Sequence, residues 1–472
     1  MIGEKRPALC APGCRLHLIE YTPYLEDPPA FFSSCPAPAA VPATDTLAPP
    51  DDLTAEQQDA FTAVYDRLAR GERFTALGGY AGTGKTYLAG RLVAQLQDED
   101  CPIAACAPTH KAAQVLREKL ISAGCDADEI ETHTIHALLG LRLVPDGEGG
   151  YELEQEPHRV RAEEGVVIVD EASMVGAALW EHVDNAPGLQ WVFAGDPAQL
   201  PPVNEDPSPA LDLDGPTLSE IVRQQEGSPI LRLAERVRQG EPWGQAVRFS
   251  DEAGGVAATG DAETFVESAI RNFEKDAFDE DAAFARLLCY RNRTVRRYND
   301  RIRAALHGED APRFQKGEWL VGRETWSGDA PGEHLISSEE VRVCNVSETH
   351  YEAPNLSTWK VWELKVRGTR DTAARRLVVL HEEEEERYEN ELQKRLDIAK
   401  SKSGKWKQYY RLRERFAEVD YAYAMTVHRA QGSTFDTAFV DGRDVQACRG
   451  PERQALLYVA VTRPVRRLAL LV

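Results

Sequence analysis

The sequence predicts an α/β protein built on parallel sheets, and three observations carry that prediction. A phosphate-loop pattern, Gly79-Tyr80-Ala81-Gly82-Thr83-Gly84-Lys85-Thr86, lies between an apolar strand and a helix. Further runs of buried-strand character follow at 103–107, 165–169 and 191–194, separated by stretches that read as helix or turn. Each run ends in polar residues, which places those side chains along the carboxyl edge of a sheet, where α/β proteins bind their ligands.

The loop has the context that its chemistry demands. Phe74-Thr75-Ala76-Leu77 reads as a strand, and Leu88, Leu92, Val93 and Leu96 recur at helical spacing after it. Gly79, Gly82 and Gly84 let backbone N–H groups turn inward around phosphate oxygens, and the helix presents its positive end to the same anion. Thr83 lies within this cradle, Lys85 supplies charge to the outer phosphates, and the Thr86 hydroxyl is placed to ligate Mg²⁺. The pattern therefore implies ATP or a similar nucleotide together with Mg²⁺.

Length and composition bound the rest. A chain of 472 residues has room for about two to four domains. Hydrophobic residues at 42% and charged residues at 28% are ordinary for a soluble globular protein. Apolar runs such as Val166-Val167-Ile168-Val169 are far too short to span a bilayer, and no basic-then-apolar leader opens the chain, so a cytoplasmic location with no membrane partner is expected. The net charge of −22 speaks only weakly against a nucleic-acid partner, because a binding channel needs local positive charge rather than a basic total. The nine scattered cysteines read as reduced thiols, and the spacing of Cys10, Cys14, His17 and Cys35 matches no strong zinc pattern.

In chain order, residues 1–50 are rich in Pro and Ala and read as a disordered tail. Thr54 and Gln57 then form a helix-opening capping box; Gln57 is also a candidate adenine reader, since its amide can both donate and accept. The strand at 103–107 leads into Pro108-Thr109-His110-Lys111 and a helix through Leu120, followed by Thr132-His133-Thr134-Ile135-His136. Residues 141–165 alternate around Asp146-Gly147-Glu148-Gly149-Gly150 and read as a hairpin insertion. Gly165–Val169 delivers Asp170 and Glu171 to a strand mouth, where they fit a Mg²⁺ ligand and a water-activating base. Trp191–Ala194 ends in Gly195-Asp196-Pro197 and Gln199, and the prolines after it suggest a domain junction.

Taken together and in this order, these segments resemble the superfamily 1 helicases, specifically the RecD-like and Dda-like branch. The matching stretches are Gln57, residues 79–86, Pro108-Thr109-His110, Thr134-Ile135-His136, Asp170-Glu171 and Gly195–Gln199. The second half continues with Ile221-Val222-Arg223-Gln224, Thr426–Ser433 and Tyr458–Arg463. The resemblance implies two RecA-like parallel-sheet domains in tandem: 51–205 with a β-hairpin pin at 141–165, and 206–306 with 418–472. It further implies an SH3-like β-barrel over 307–417 that carries a helical hairpin at 382–417.

By the same resemblance, ATP and Mg²⁺ lie between the RecA-like domains, held by Lys85, Thr86 and Asp170, with Gln57, Gln431 and Gly432 also on the nucleotide. Glu171 orients the attacking water, Gln199 senses the terminal phosphate, and Arg223 and Arg463 reach across from the second domain. Pro108, Thr109, His110, Thr134 and His136 on one side and Thr426, His428 and Ser433 on the other face single-stranded DNA. Tyr151 at the pin is a candidate for stacking on a base or for packing on its own hairpin. Lys400, Lys402, Lys405, Trp406 and Lys407 at the helical tip form a candidate DNA contact, while the run Glu382 to Glu386 reads as a solvated helix start. The implied activity is ATP-driven 5′→3′ translocation on single-stranded DNA with duplex unwinding, in replication, recombination or repair. The chain would act as a monomer at duplex junctions, with single-strand-binding or other replication and repair proteins as possible company. Left open are a motor subunit of a RecD-type nuclease assembly, a non-motor nucleotide switch, and an RNA track.

Overall fold

The computed structural model describes residues 41, 49–126, 130, 132–145, 150–202, 205–222, 228–241, 249–251, 254–352, 357–369, 371, 373–401, 405–450 and 452–472. The tail at 1–40, with its cysteines, lies outside the described residues, as do Arg223 and Lys402.

The first sheet comprises β1 (Phe74–Gly79), β2 (Ile103–Ala107), β3 (Thr132–Thr134), β6 (Gly165–Val169), β7 (Leu189–Gly195) and β8 (Thr217–Leu218), in the order β3-β2-β6-β7-β1-β8. All of its pairings are parallel. Between β3 and β6 stands an antiparallel hairpin, β4 (Leu141–Pro145) and β5 (Tyr151–Gln155). Helices Ala55–Ala69, Lys85–Asp98 and His110–Ser122 cover one face, burying Phe61, Leu68, Leu92, Leu116 and Leu120 against Ile168 and Val192. The strands are apolar because both faces are covered, as parallel sheets require.

The second sheet has the order β19-β11-β20-β21-β10-β9, from β9 (Phe249–Asp251), β10 (Gly254–Thr259), β11 (Ala285–Cys289), β19 (Ala424–Thr426), β20 (Phe435–Asp441) and β21 (Pro464–Leu471). Only β9 runs antiparallel. This sheet carries the largest core, in which Phe265, Phe439, Leu457 and Leu470 are buried.

A third, wholly antiparallel sheet has the order β17-β16-β15-β12-β18, formed by β12 (Trp319–Gly322), β15 (Glu340–Glu352), β16 (Thr358–Gly368), β17 (Arg375–Leu380) and β18 (Val419–Tyr421). A two-stranded piece, β13 (Trp326–Ser327) with β14 (His334–Leu335), packs beside it. Helices Glu385–Ser401 and Trp406–Arg413 follow β17, with Tyr388, Leu412 and Phe416 joining the core of this sheet.

Two expected boundaries shift. The chain does not leave the first sheet at residue 205: β8 pairs Gly78 with Thr217, and Val222 N–H donates to Gly82 O at 3.0 Å. Nor does the antiparallel region end at 417, because β18 pairs Leu320 with Tyr421.

Tyr151 packs against another element rather than on its own hairpin. Its ring meets Tyr410 edge-on at 5.0 Å and its hydroxyl donates to Glu414 at 2.9 Å, while the Tyr410 hydroxyl donates to Gly150 O at 2.8 Å. The hairpin is thus bound to the helix Trp406–Arg413. Trp406, offered as a DNA contact, is half-buried with its ring 5.8 Å from Tyr409, whereas Lys400, Lys405 and Lys407 remain exposed.

Candidate nucleotide and nucleic-acid sites

The phosphate loop is shaped by its glycines. Gly82 and Gly84 have φ of +88° and +81°, and a Cβ on Gly84 would lie 2.4 Å from the Gln57 amide nitrogen. Gln57 completes the capping box with Thr54 and also donates from Nε2 to Thr83 O at 3.1 Å. The amide that caps the helix thus also props the loop, and Gln57 lines the cavity in front of it.

That cavity measures about 430 Å³ and is walled by both parallel sheets. From the first come Gly82, Gly84, Lys85, Thr86, Asp170, Glu171, Asp196 and Gln199; from the second come Gly432, Thr434, Thr462 and Arg463. Lys85 Nζ donates to Gly79 O at 2.7 Å and Tyr80 O at 2.9 Å. Burial lowers its pKa, opposed by Asp196, Asp170 and Glu171. The Thr86 hydroxyl donates to Asp170 Oδ2 at 2.9 Å, while Asp170 Oδ1 accepts the Glu171 N–H at 3.0 Å. A hydroxyl and a carboxylate side by side, beside a half-buried ammonium, form a hard oxygen donor set of the type Mg²⁺ takes.

Glu171 sits at φ +55°, a left-handed backbone that costs a non-glycine residue about 1–3 kcal/mol and is held by its surroundings. Burial and the neighbouring Asp170 push its carboxyl up, while Arg463, Lys119 and Lys85 pull it down. Arg463 is buried, with Nη1 donating to Ser433 O at 3.2 Å and Nε to Val459 O at 3.1 Å.

Across the cleft, Gln431 Nε2 donates to Ser173 Oγ at 3.2 Å, Gln199 Oε1 at 3.3 Å and Leu200 O at 3.4 Å. The Tyr458 hydroxyl accepts from Ala81 N–H at 2.9 Å and donates to Asp196 at 2.8 Å. Sequence reasoning assigned no role to Tyr458, Asp196, Ser173 or Lys119. Tyr458 and Asp196 stood inside quoted motifs, but Lys119 is a helix-surface lysine with no local signal; its Nζ lies 3.5 Å from Thr86 Oγ1.

The candidate DNA-facing residues gather at the carboxyl edges of the two sheets. β2 and β3 pair Ala107 with Thr134, and β11 and β19 pair Cys289 with Thr426. The edges meet where a Cβ on Gly432 would lie 3.3 Å from Ala112. Thr109, His110 and His428 are half-buried, but Pro108, Thr134, His136, Thr426 and Ser433 are buried. Much of the predicted set thus lies under the surface, and several of its hydroxyls cap the chain: Thr109 accepts Ala112 N–H at 3.2 Å, Thr134 accepts Ala137 N–H at 3.1 Å and Thr426 accepts Arg429 N–H at 3.3 Å. Burial lowers the pKa of both His110 and His136 to about 4, so they are neutral near pH 7.

A larger cleft, about 860 Å³, is lined by Gly150 and Tyr151 of the β4–β5 hairpin together with residues of the antiparallel sheet and its helices. Its lining mixes Arg296, Arg313 and Arg323 with Glu385, Glu418 and Asp420, so it offers no single-sign track for phosphates.

A phosphate loop and an acidic pair on one parallel sheet, faced by an arginine from another, define a P-loop nucleoside-triphosphatase with two sheets. Family models and sequence relatives agree. An AAA-domain family model matches residues 52–261, and a model of the UvrD-like helicase C-terminal domain matches 421–471. The ATP-dependent DNA helicase dda of Enterobacteria phage T4 is 27% identical over 449 residues, covering 88% of this chain and 98% of that protein. The ATP-dependent RecD2 DNA helicase of Deinococcus radiodurans is 35% identical over 189 residues, 39% of this chain and 24% of that protein. Among solved structures, a Pif1 helicase from Bacteroides in complex with ADP-AlF3 and ssDNA has a TM-score of 0.48 at 17% identity, covering 89% of this chain and 92% of that one. Along most of its length the chain is thus similar to superfamily 1 helicases of the branch that includes Dda and RecD.

Proposed function

We propose that this chain is an ATP-dependent DNA helicase that moves 5′→3′ along single-stranded DNA and separates duplex ahead of it. The observation that carries the reading is a single cavity bounded by Lys85, Asp170 and Glu171 of one sheet and Arg463 of the other. Hydrolysis built this way needs both sheets, so cleft closure and chemistry are linked.

In this reading Gly79, Gly82, Thr83, Gly84 and Lys85 hold the phosphate chain, and Gln57, Gln431 and Gly432 complete the nucleotide site. Thr86 and Asp170 would hold Mg²⁺, which when bound neutralises charge on the outer phosphates. Glu171 orients the water, Gln199 senses the terminal phosphate, and Arg463 neutralises charge that develops in the transition state, with Arg223 as a second arginine. An arginine in that role is worth roughly 10³–10⁵ in rate. The sheet edges at 108–110, 134–136 and 426–433 grip the strand alternately as the cleft opens and closes. For the half-buried and buried residues there to reach DNA, the two edges must part.

The β4–β5 hairpin serves as the strand-separating pin, braced by the helical pair, and the antiparallel sheet as an SH3-like barrel. The protein works as a cytoplasmic monomer at duplex junctions, beside single-strand-binding or other replication and repair proteins. Among the described residues no helix is long and apolar enough to cross a membrane. The test is unwinding of duplexes with either a 5′ or a 3′ single-stranded overhang, with and without ATP. ATP-dependent opening of the 5′-overhang substrate is expected; equal opening of both, or opening of neither, contradicts the reading.

A further inference from the structure

We infer that the Tyr458 hydroxyl is a positioning group that ties the phosphate loop to the second sheet, so that the nucleotide state sets DNA affinity through it. The inference rests on the helicase reading above and adds a residue which that reading leaves without a role.

Tyr458 belongs to the helix Glu452–Thr462, which leads into Arg463. Its side chain crosses the cleft and is 2% exposed. The hydroxyl accepts from Ala81 N–H at 2.9 Å, inside the phosphate loop, and donates to Asp196 Oδ2 at 2.8 Å, in the turn after β7. The direction of both bonds is fixed. An amide can only donate, so the phenolic proton must go to the carboxylate. Burial and Asp196 raise the phenol pKa, which keeps that proton in place at working pH.

Both bonds reach the first sheet from one atom of the second. Separating the sheets breaks them together and leaves the half-buried Ala81 amide and the buried Asp196 carboxylate without this partner, at about 1–3 kcal/mol for each group that water does not re-satisfy. Loop geometry and sheet separation thereby become a single variable. Asp196 is also the largest of the carboxylate influences that keep Lys85 charged. One hydroxyl therefore joins the loop that holds phosphate, the carboxylate that supports Lys85 and the helix that positions Arg463.

Tyr458→Phe removes this atom and keeps the ring, which belongs to the buried core of the second sheet. The Gln431 bonds to Gln199 and Ser173 remain, so the sheets still meet. Fluorescence anisotropy of a single-stranded oligonucleotide with the full chain measures DNA affinity with ADP, with a non-hydrolysable ATP analogue and with no nucleotide. The ratio of the first two affinities is the coupling. In Tyr458→Phe the nucleotide-free affinity is expected to stay within about twofold of wild type, while the ratio falls by about threefold or more toward one. Asp196→Asn, which weakens the same bond from its other end, is expected to move the ratio in the same direction, and serves if the Phe variant folds poorly by thermal denaturation. An unchanged ratio in a folded variant overturns the inference alone. A wild-type ratio of one overturns the motor reading, and this inference with it.

Discussion

Lys85 and Glu171 show how much of the chemistry is set by single side chains. Lys85→Ala removes an ammonium from among three carboxylates; ATP turnover and unwinding are expected to vanish while most single-strand affinity stays, measured by phosphate release and anisotropy on the same preparation. In the role proposed for it Glu171 must be ionised to orient water, yet burial and Asp170 raise its pKa. The acid limb of the turnover profile is therefore expected above the ordinary carboxylate range, with activity falling as pH drops through the raised value. Lys119 pulls that value down, so Lys119→Met should move the limb to higher pH. An unmoved limb would separate Lys119 from the reaction. His110 and His136, held near pKa 4, contribute no charge change between pH 6 and 8. At this scale Lys85, Thr86 and Asp170 were legible because their spacing is dictated by phosphate and metal geometry. Tyr458 and Lys119 were not, since only tertiary approach brings them to the loop.

The elements are joined by contacts that no local pattern announces. Glu340, opening β15, accepts Lys111 Nζ at 2.9 Å and pairs with the fully buried Arg286 of β11. One carboxylate thus connects the helix His110–Ser122, the second sheet and the antiparallel sheet. Burial pushes its pKa up, but Lys111 and Arg286 hold it below the usual carboxylate value. Because the folded pKa is the lower one, this stabilisation is present above the unfolded pKa and is lost as pH falls through the folded value. Glu340→Ala leaves a buried guanidinium short of its partner and is expected to destabilise by about 3–5 kcal/mol, read by urea unfolding at pH 7. A loss near zero would mean that water re-satisfies Arg286. Long strands and helices were readable from periodicity. β8 and β18, of 2 and 3 residues, carry too few positions to show any period, which is why both domain boundaries shifted. The brace between Tyr151 and Tyr410 was equally hidden, since it joins residues far apart in the chain.

At the scale of the molecule, a net charge of −22 has to coexist with a polyanionic track. Binding must then rest on local phosphate contacts, and single-strand affinity is expected to fall steeply as salt rises; a flat response would remove those contacts from the account. The shared edge of the first sheet was legible because each of its long strands brings its own polar ending there. Which residues of those edges are covered was not, since burial depends on how the two sheets meet. The central claim is that one nucleotide is acted on by both sheets, through a cavity that Lys85 and Arg463 share. Single-turnover hydrolysis and nucleotide affinity of Arg463→Ala, measured side by side with saturating single-stranded DNA, test it most directly. The account predicts a hydrolysis rate lower by roughly 10³-fold or more with affinity changed only a few-fold; hydrolysis at the wild-type rate, or equal loss of both in a folded variant, would contradict it.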